Sequence, residues 1–160
     1  MQTDASIDNK IMPYAVEAAW VTGRWESLVK FTKRFHGDIV EDFNVSVATV
    51  LDKLMAKNKP KELSSIMNDI RVKISSSMNA ASTSSLQACH DLLLKAHILT
   101  DLEIIIGTKA GDESARQNTM VLLDRRLEII GAYMSDKQYL LGIRRAAMEL
   151  NRYVHSGRCL

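Results

Sequence analysis

The sequence predicts an all-α fold: an α-solenoid in which about seven helices run antiparallel and stack as pairs. Three observations predict it. The 160-residue chain carries only two Pro and seven Gly, beside eight Met and many Leu and Ala, a balance that favours helices over sheets. Apolar residues recur at three- and four-residue spacing along most of the length, and no stretch makes a convincing strand. The run from Glu17 to Leu28 then reads as a complete two-helix unit. Small residues and Trp20 close one helix, Gly23 turns the chain, and Trp25 with Leu28 opens the next.

The elements follow in order. Pro13 suits a first helical turn, so a helix is expected from Pro13 to Val21, after a disordered or linker start over residues 1–12. The second helix is expected from Trp25 to Phe35, with Leu28, Phe31 and Phe35 on one stripe, until His36-Gly37-Asp38 breaks it. Phe43, Val47, Val50, Leu51 and Leu54 place a third over about 43–57, stopped ahead of Pro60. Leu63, Ile66, Met67, Ile70, Ile74 and Met78 make the cleanest stripe in the chain, a fourth helix from about Pro60 to Met78. A serine within Ser82-Thr83-Ser84-Ser85 can cap the fifth, Leu86 to Ile106, which is apolar on most of its circumference and is expected between neighbours.

Gly107 to Gln117 reads as the longest polar loop. A sixth helix is expected over about 118–134. Ser135-Asp136-Lys137-Gln138 then matches a capping box, and the last helix aligns Leu140, Ile143, Ala147, Leu150 and Val154. Two end stripes, Phe31-Phe35 and Leu140-Ile143-Ala147-Leu150, have no polar helix beyond them and are expected to lie uncovered.

Apolar residues at 46% and charged residues at 25% exclude a disordered chain. The length fits one domain or a slice of a longer solenoid. With 21 basic against 19 acidic residues, the net charge of +2 gives no global field to recruit nucleic acid or membrane. The paired arginines Arg125-Arg126 and Arg144-Arg145 have two readings: solvated faces with inter-helix ion pairs, or a docking surface for an acidic partner. Cys89 and Cys159 cannot build a disulfide framework, which fits a reduced intracellular compartment. No apolar run reaches the length of a membrane span, and the first residues lack a signal peptide's apolar core.

No catalytic, cofactor-binding or metal-ligating residue stands out. Ile104-Ile105-Ile106-Gly107-Thr108-Lys109-Ala110-Gly111 imitates a strand and phosphate loop, but the Gly-Lys-Ser/Thr ending is absent, and a Gly after an apolar helix is an ordinary stop. Asp42-Phe43-Asn44 and His36-Gly37-Asp38 imitate kinase motifs, yet lie too close together to be both. His90 and His97 stand two turns apart, about 10 Å by helical rise, too far to share a metal unaided. Trp20 and Trp25, and the Met residues on apolar stripes, read as core packing.

The packing set Ala19, Trp20, Gly23, Trp25 and Leu28 resembles the small-residue, Gly and aromatic pattern of tetratricopeptide repeats, whose helices approach over Ala and Gly. Four places carry a larger resemblance. They are Ala18-Ala19-Trp20-x-x-Gly23-x-Trp25; Asp42-Phe43-Asn44-Val45; Ala96-His97-Ile98-Leu99-Thr100-Asp101-Leu102-Glu103; and Arg126-Leu127-Glu128 followed by Ile143-Arg144-Arg145-Ala146-Ala147. In this order they resemble the FAT region of the phosphatidylinositol-kinase-related protein kinases, and within it the ATR-type checkpoint kinases, above all their fungal members.

The resemblance implies a tetratricopeptide-like solenoid over residues 13–156 that wraps the kinase domain of a large nuclear protein responding to DNA damage and replication stress. In that family the ATP and metal ligands lie C-terminal to the FAT region, so none is carried onto this chain, from which the kinase domain is absent. The expected function is therefore scaffold and regulation, without catalysis or cofactor. The expected partners are the kinase lobe and neighbouring repeats, and a further protein or a second copy, with no direct nucleic-acid or membrane contact. The alternative is a free-standing adaptor that holds a peptide. A weaker third is a helical enzyme using Cys89 and His90.

Overall fold

The computed structural model describes residues 2–56, 60–81, 85–108 and 111–156. Among them are seven helices and no strand: α1 Gln2–Val21, α2 Trp25–Arg34, α3 Phe43–Met55, α4 Pro60–Ala81, α5 Leu86–Gly107, α6 Glu113–Glu128 and α7 Met134–Ser156. This is the all-α architecture that the sequence predicts. The chain divides inside α4 into two compact units, the first ending at Lys73 and the second beginning at Ile74.

In the first unit α1 packs on α2 and α3, and α2 packs on α3. The residues expected to be a linker or disordered start, 1–12, are instead helical from Gln2, and Pro13 sits inside α1 rather than at its start. Proline removes one backbone bond there. The inner stripe Met12, Val16, Ala19 and Trp20 is buried on both sides of it, and that burial holds the helix through the interruption.

α1 ends in a Schellman turn. Gly23 takes φ +68°, Gly23 N–H bonds Trp20 O at 3.3 Å and Arg24 N–H reaches back to Ala19 O at 2.9 Å. Only glycine adopts this left-handed backbone without strain. Trp25 and Leu28 then turn inward and are buried. Asp42 caps α3, its Oδ1 accepting from Asn44 N at 2.8 Å and Val45 N at 3.1 Å. Asn44 in turn donates to Glu17 Oε2 at 3.0 Å and Pro13 O at 3.4 Å, which sets the head of α3 beside the middle of α1.

In the second unit α5 packs on both α6 and α7. His90 meets Asp136, Asp101 meets Arg144 and Ile105 meets Asn151, so α7 runs parallel to α5. Asp101 meets Arg126 and Thr108 meets Thr119, so α6 runs antiparallel between them in sequence. The stripe Leu140, Ile143, Ala147 and Leu150, expected to be uncovered, is buried. Phe31 and Phe35 in the first unit are half-buried. The side chain of Val154 lies outside the described residues.

The polar connection is shorter than expected. The polarity of Gly107 to Gln117 predicts a loop throughout, yet α6 begins at Glu113. Asp112 Oδ1 accepts from Ala115 N at 2.9 Å, and the acidic Glu113 sits where the helix dipole favours it. At the far end α6 stops at Glu128 rather than Met134, because Gly131 turns the chain with φ +69°. The capping box at Ser135 is not formed. α7 already starts at Met134, and Ser135 Oγ lies 3.4 Å from Asp136 Oδ1 instead of on a free amide. Ser85 does cap α5, accepting from Ala88 N at 3.3 Å; Ser82, Thr83 and Ser84 are outside the described residues.

Candidate functional site

The second unit is organised around one carboxylate. Asp101 sits in the apolar run of α5 with 1% of its surface in water. A buried carboxylate is costly unless paired, and two arginines pair it. Arg144 of α7 donates from Nε to Oδ2 at 2.8 Å and holds Nη2 2.6 Å from the same oxygen. Arg126 of α6 donates from Nε to Oδ1 at 2.5 Å and from Nη2 to the His97 carbonyl at 3.2 Å. Helices α5, α6 and α7 are thus tied to one side chain.

His97 lies one turn before Asp101 on α5, with Nε2 3.8 Å from Oδ2. Burial pushes its pKa below the ordinary value, and the Arg126 and Arg144 guanidiniums add to that, against the pull of Asp101. The imidazole is therefore neutral at pH 7. The hub holds two cations and one anion, a net +1.

Two further contacts brace the ends of α5. His90 Nε2 sits 2.8 Å from Asp136 Oδ2, and its ring meets that of Tyr133 at a tilt of 53°, centroids 5.1 Å apart. Asn151 Nδ2 donates to Ile105 O at 2.9 Å, a carbonyl in the last turn of α5 that also accepts from Thr108 N–H at 3.3 Å.

The residues singled out from the sequence separate into two groups. Ala19, Trp20, Trp25 and Leu28 are buried in the first unit, and Gly23 forms the turn between them. The four arginines do not form one surface. Arg144 is buried and Arg126 is mostly so, because Asp101 draws both inward. Arg125 and Arg145 stay exposed. The proposed four-arginine docking surface is corrected accordingly: at Arg126 and Arg144 the inter-helix ion pair is what forms.

Gly107 ends α5 and Thr108 follows as its cap. His90 and His97 each face a different carboxylate, and no group of His, Cys, Asp and Glu able to hold a metal occurs among the described residues. Cys89 is half-buried and free; Cys159 and Lys109 are outside the described residues. None of the helices in the described residues is long and apolar enough to cross a membrane. The sequence reading missed Asp101 as an organiser. The signal was present: Asp101 falls on the same helical stripe as Ile98, Leu102 and Ile105, with paired arginines elsewhere to meet it.

A comparison with family models matches the FAT domain over residues 12–159, nearly the whole chain. The chain belongs to the FAT domain family. The match opens at Met12, which is also the first buried apolar side chain among those described. No curated protein and no solved structure matches the chain. The FAT domain is a non-catalytic helical solenoid of the phosphatidylinositol-kinase-related kinases, and it serves them as a protein-interaction scaffold. The Asp101 hub is, in that setting, a brace within a scaffold.

Proposed function

We infer that this FAT segment is a scaffold and regulatory piece of an ATR-type nuclear serine/threonine kinase of the DNA-damage and replication-stress response. The family match supports the broader part of the reading, a scaffold segment of a phosphatidylinositol-kinase-related kinase, because it covers residues of both compact units. The finer ATR-type assignment rests on the order of the four sequence places from Ala18 to Ala147. Its partners are the kinase lobe and the neighbouring repeats of the parent chain.

The mechanism is mechanical. Three helices, α5, α6 and α7, that share one buried carboxylate move as a body, and a displacement at one face reaches the other without loss in loose packing. An antibody to this segment tests the reading in cells. The precipitated polypeptide should contain kinase-domain peptides by mass spectrometry, collect in the nucleus, and gain phosphotransfer activity when replication is stalled. A precipitated chain with no kinase domain would sink the parent assignment. A kinase indifferent to replication stress would sink the ATR-type part alone.

A further inference from the structure

Helix α6 is held to α5 by few side chains and has a left-handed glycine beyond each end. Leu123 is its one buried residue. Its other contacts with α5 are polar: the Thr119 hydroxyl lies 2.8 Å from that of Thr108, and Arg126 reaches Asp101 and the His97 carbonyl. The joint between α5 and α7 is different in kind, with Ile98, Leu102 and Ile105 on one side and Ile143, Ala147 and Leu150 on the other all buried. Gly111 takes φ +91° just before the Asp112 cap, and Gly131 takes φ +69° between α6 and α7. A Cβ at either would meet nothing within 4 Å. Neither glycine makes room for a neighbour, so what each supplies is backbone freedom at a point where a helix can turn.

The two ion pairs of the hub are unequal. One guanidinium neutralises one carboxylate, and Arg144, whose side chain is 5% exposed, does so through Nε and Nη2 on Oδ2. Arg126, 21% exposed on Oδ1, is surplus positive charge. The charged groups acting on His97 are Asp101 on its own helix, Arg126 on α6 and Arg144 on α7. A proton on His97, whose Nε2 is 3.8 Å from Oδ2, would set three cations around one carboxylate. The cation able to leave is Arg126, because it is the more exposed guanidinium and its helix has the least apolar cover.

We propose that α6 is a releasable latch: it undocks from α5 by turning at Gly111 and Gly131, the Asp101–Arg144 pair keeps α5 and α7 joined, and protonation of His97 drives the undocking. With α6 docked, the three helices move as one body; with α6 released, that body is α5 and α7 alone. Transmission through a scaffold requires two such discrete arrangements. Oδ1 then faces the side that α6 vacates, where water takes the place of Arg126. Burial and the Arg126 guanidinium both lower the His97 pKa in the docked state, and release relieves both. The released state therefore takes up the proton more readily, and its population rises as pH falls below the ordinary value near 6.5. The inference concerns this chain alone and does not rest on the ATR-type assignment.

Amide hydrogen exchange of the full chain tests it, read by mass spectrometry as protection factors at about pH 7.5 and about pH 5. At the higher pH the amides of α6 should be roughly tenfold less protected than those in the buried stretches of α5 and α7. At the lower pH α6 should lose about another factor of ten, with α5 and α7 changing less than about twofold. His97→Gln should remove the step with pH. Arg126→Gln should strip α6 of protection already at the higher pH and leave α5 and α7 as in the parent protein. Equal protection of the three helices, a loss on acidification shared evenly among them, or a pH step that survives His97→Gln would each overturn the proposal. So would an Arg126→Gln protein that keeps α6 protected, or one that loses α5 and α7 along with it.

Discussion

At the scale of single residues, Asp101 decides most about the second unit. It lies on α5, yet the groups that neutralise it come from α6 and α7, so removing its charge strands two guanidiniums at once. Asp101→Asn should cost about 3–5 kcal/mol in urea unfolding followed by helical circular dichroism, the range for a buried pair that loses one partner. A loss under about 1 kcal/mol would instead match an exposed ion pair and remove the hub from the account of stability. His97 gives the hub a pH dependence with a definite sign. Its pKa is lowered in the folded chain by burial first and then by Arg126 and Arg144. The unfolded chain therefore takes up the proton first. The stabilising contribution of the neutral ring is complete above the ordinary value near 6.5 and is lost as pH falls below it. Urea midpoints measured across that window should drop on acidification, and His97→Gln should flatten the drop. An identical slope in the two proteins would assign the effect to other groups.

At the scale of elements, the helix ends are set by polar and glycine chemistry more than by apolar periodicity. Asp42, Ser85 and Asp112 each hold a first-turn amide, and Gly23 and Gly131 supply left-handed turns. A Cβ at Gly23 would meet nothing within 4 Å, so Gly23→Ala isolates the backbone cost from any clash. That cost should be about 1–2 kcal/mol, read as a lowered unfolding free energy with unchanged helicity. No measurable change would mean that the α1–α2 turn is held by Trp20 and Trp25 and not by the Schellman geometry. The ends of α6 explain where periodicity fails: a mostly solvated helix offers few apolar repeats, so the capping residue Asp112 was the better signal for its start.

For the whole molecule, membership of the FAT domain family, a non-catalytic scaffold region of the phosphatidylinositol-kinase-related kinases, goes with the all-helical fold of the described residues. The chain should show no saturable heat with Mg-ATP in calorimetric titration and no phosphotransfer to a generic substrate. A stoichiometric ATP site would overturn the non-catalytic reading. The solenoid class, the packing of Trp20 and Trp25 and the order of the elements were legible in the sequence, because small residues, aromatics and stripes act within a turn or two of helix. The four motifs that carried the family resemblance also lie along the chain and need no fold to be seen.

What the sequence by itself determined is local: which segments become helices, which face of each is apolar, and the family to which their order belongs. The tertiary structure alone decided the fate of charge. Arg125 and Arg126 are adjacent and alike in sequence, yet one points to solvent and the other to Asp101, 25 residues earlier; Arg144 reaches the same carboxylate from 43 residues later. Periodicity assigns a residue to a face, but whether a buried acid waits opposite that face depends on how separate helices come together. Desolvation then makes the choice, since a carboxylate sealed among α5, α6 and α7 must draw in whatever cations the packing brings within reach.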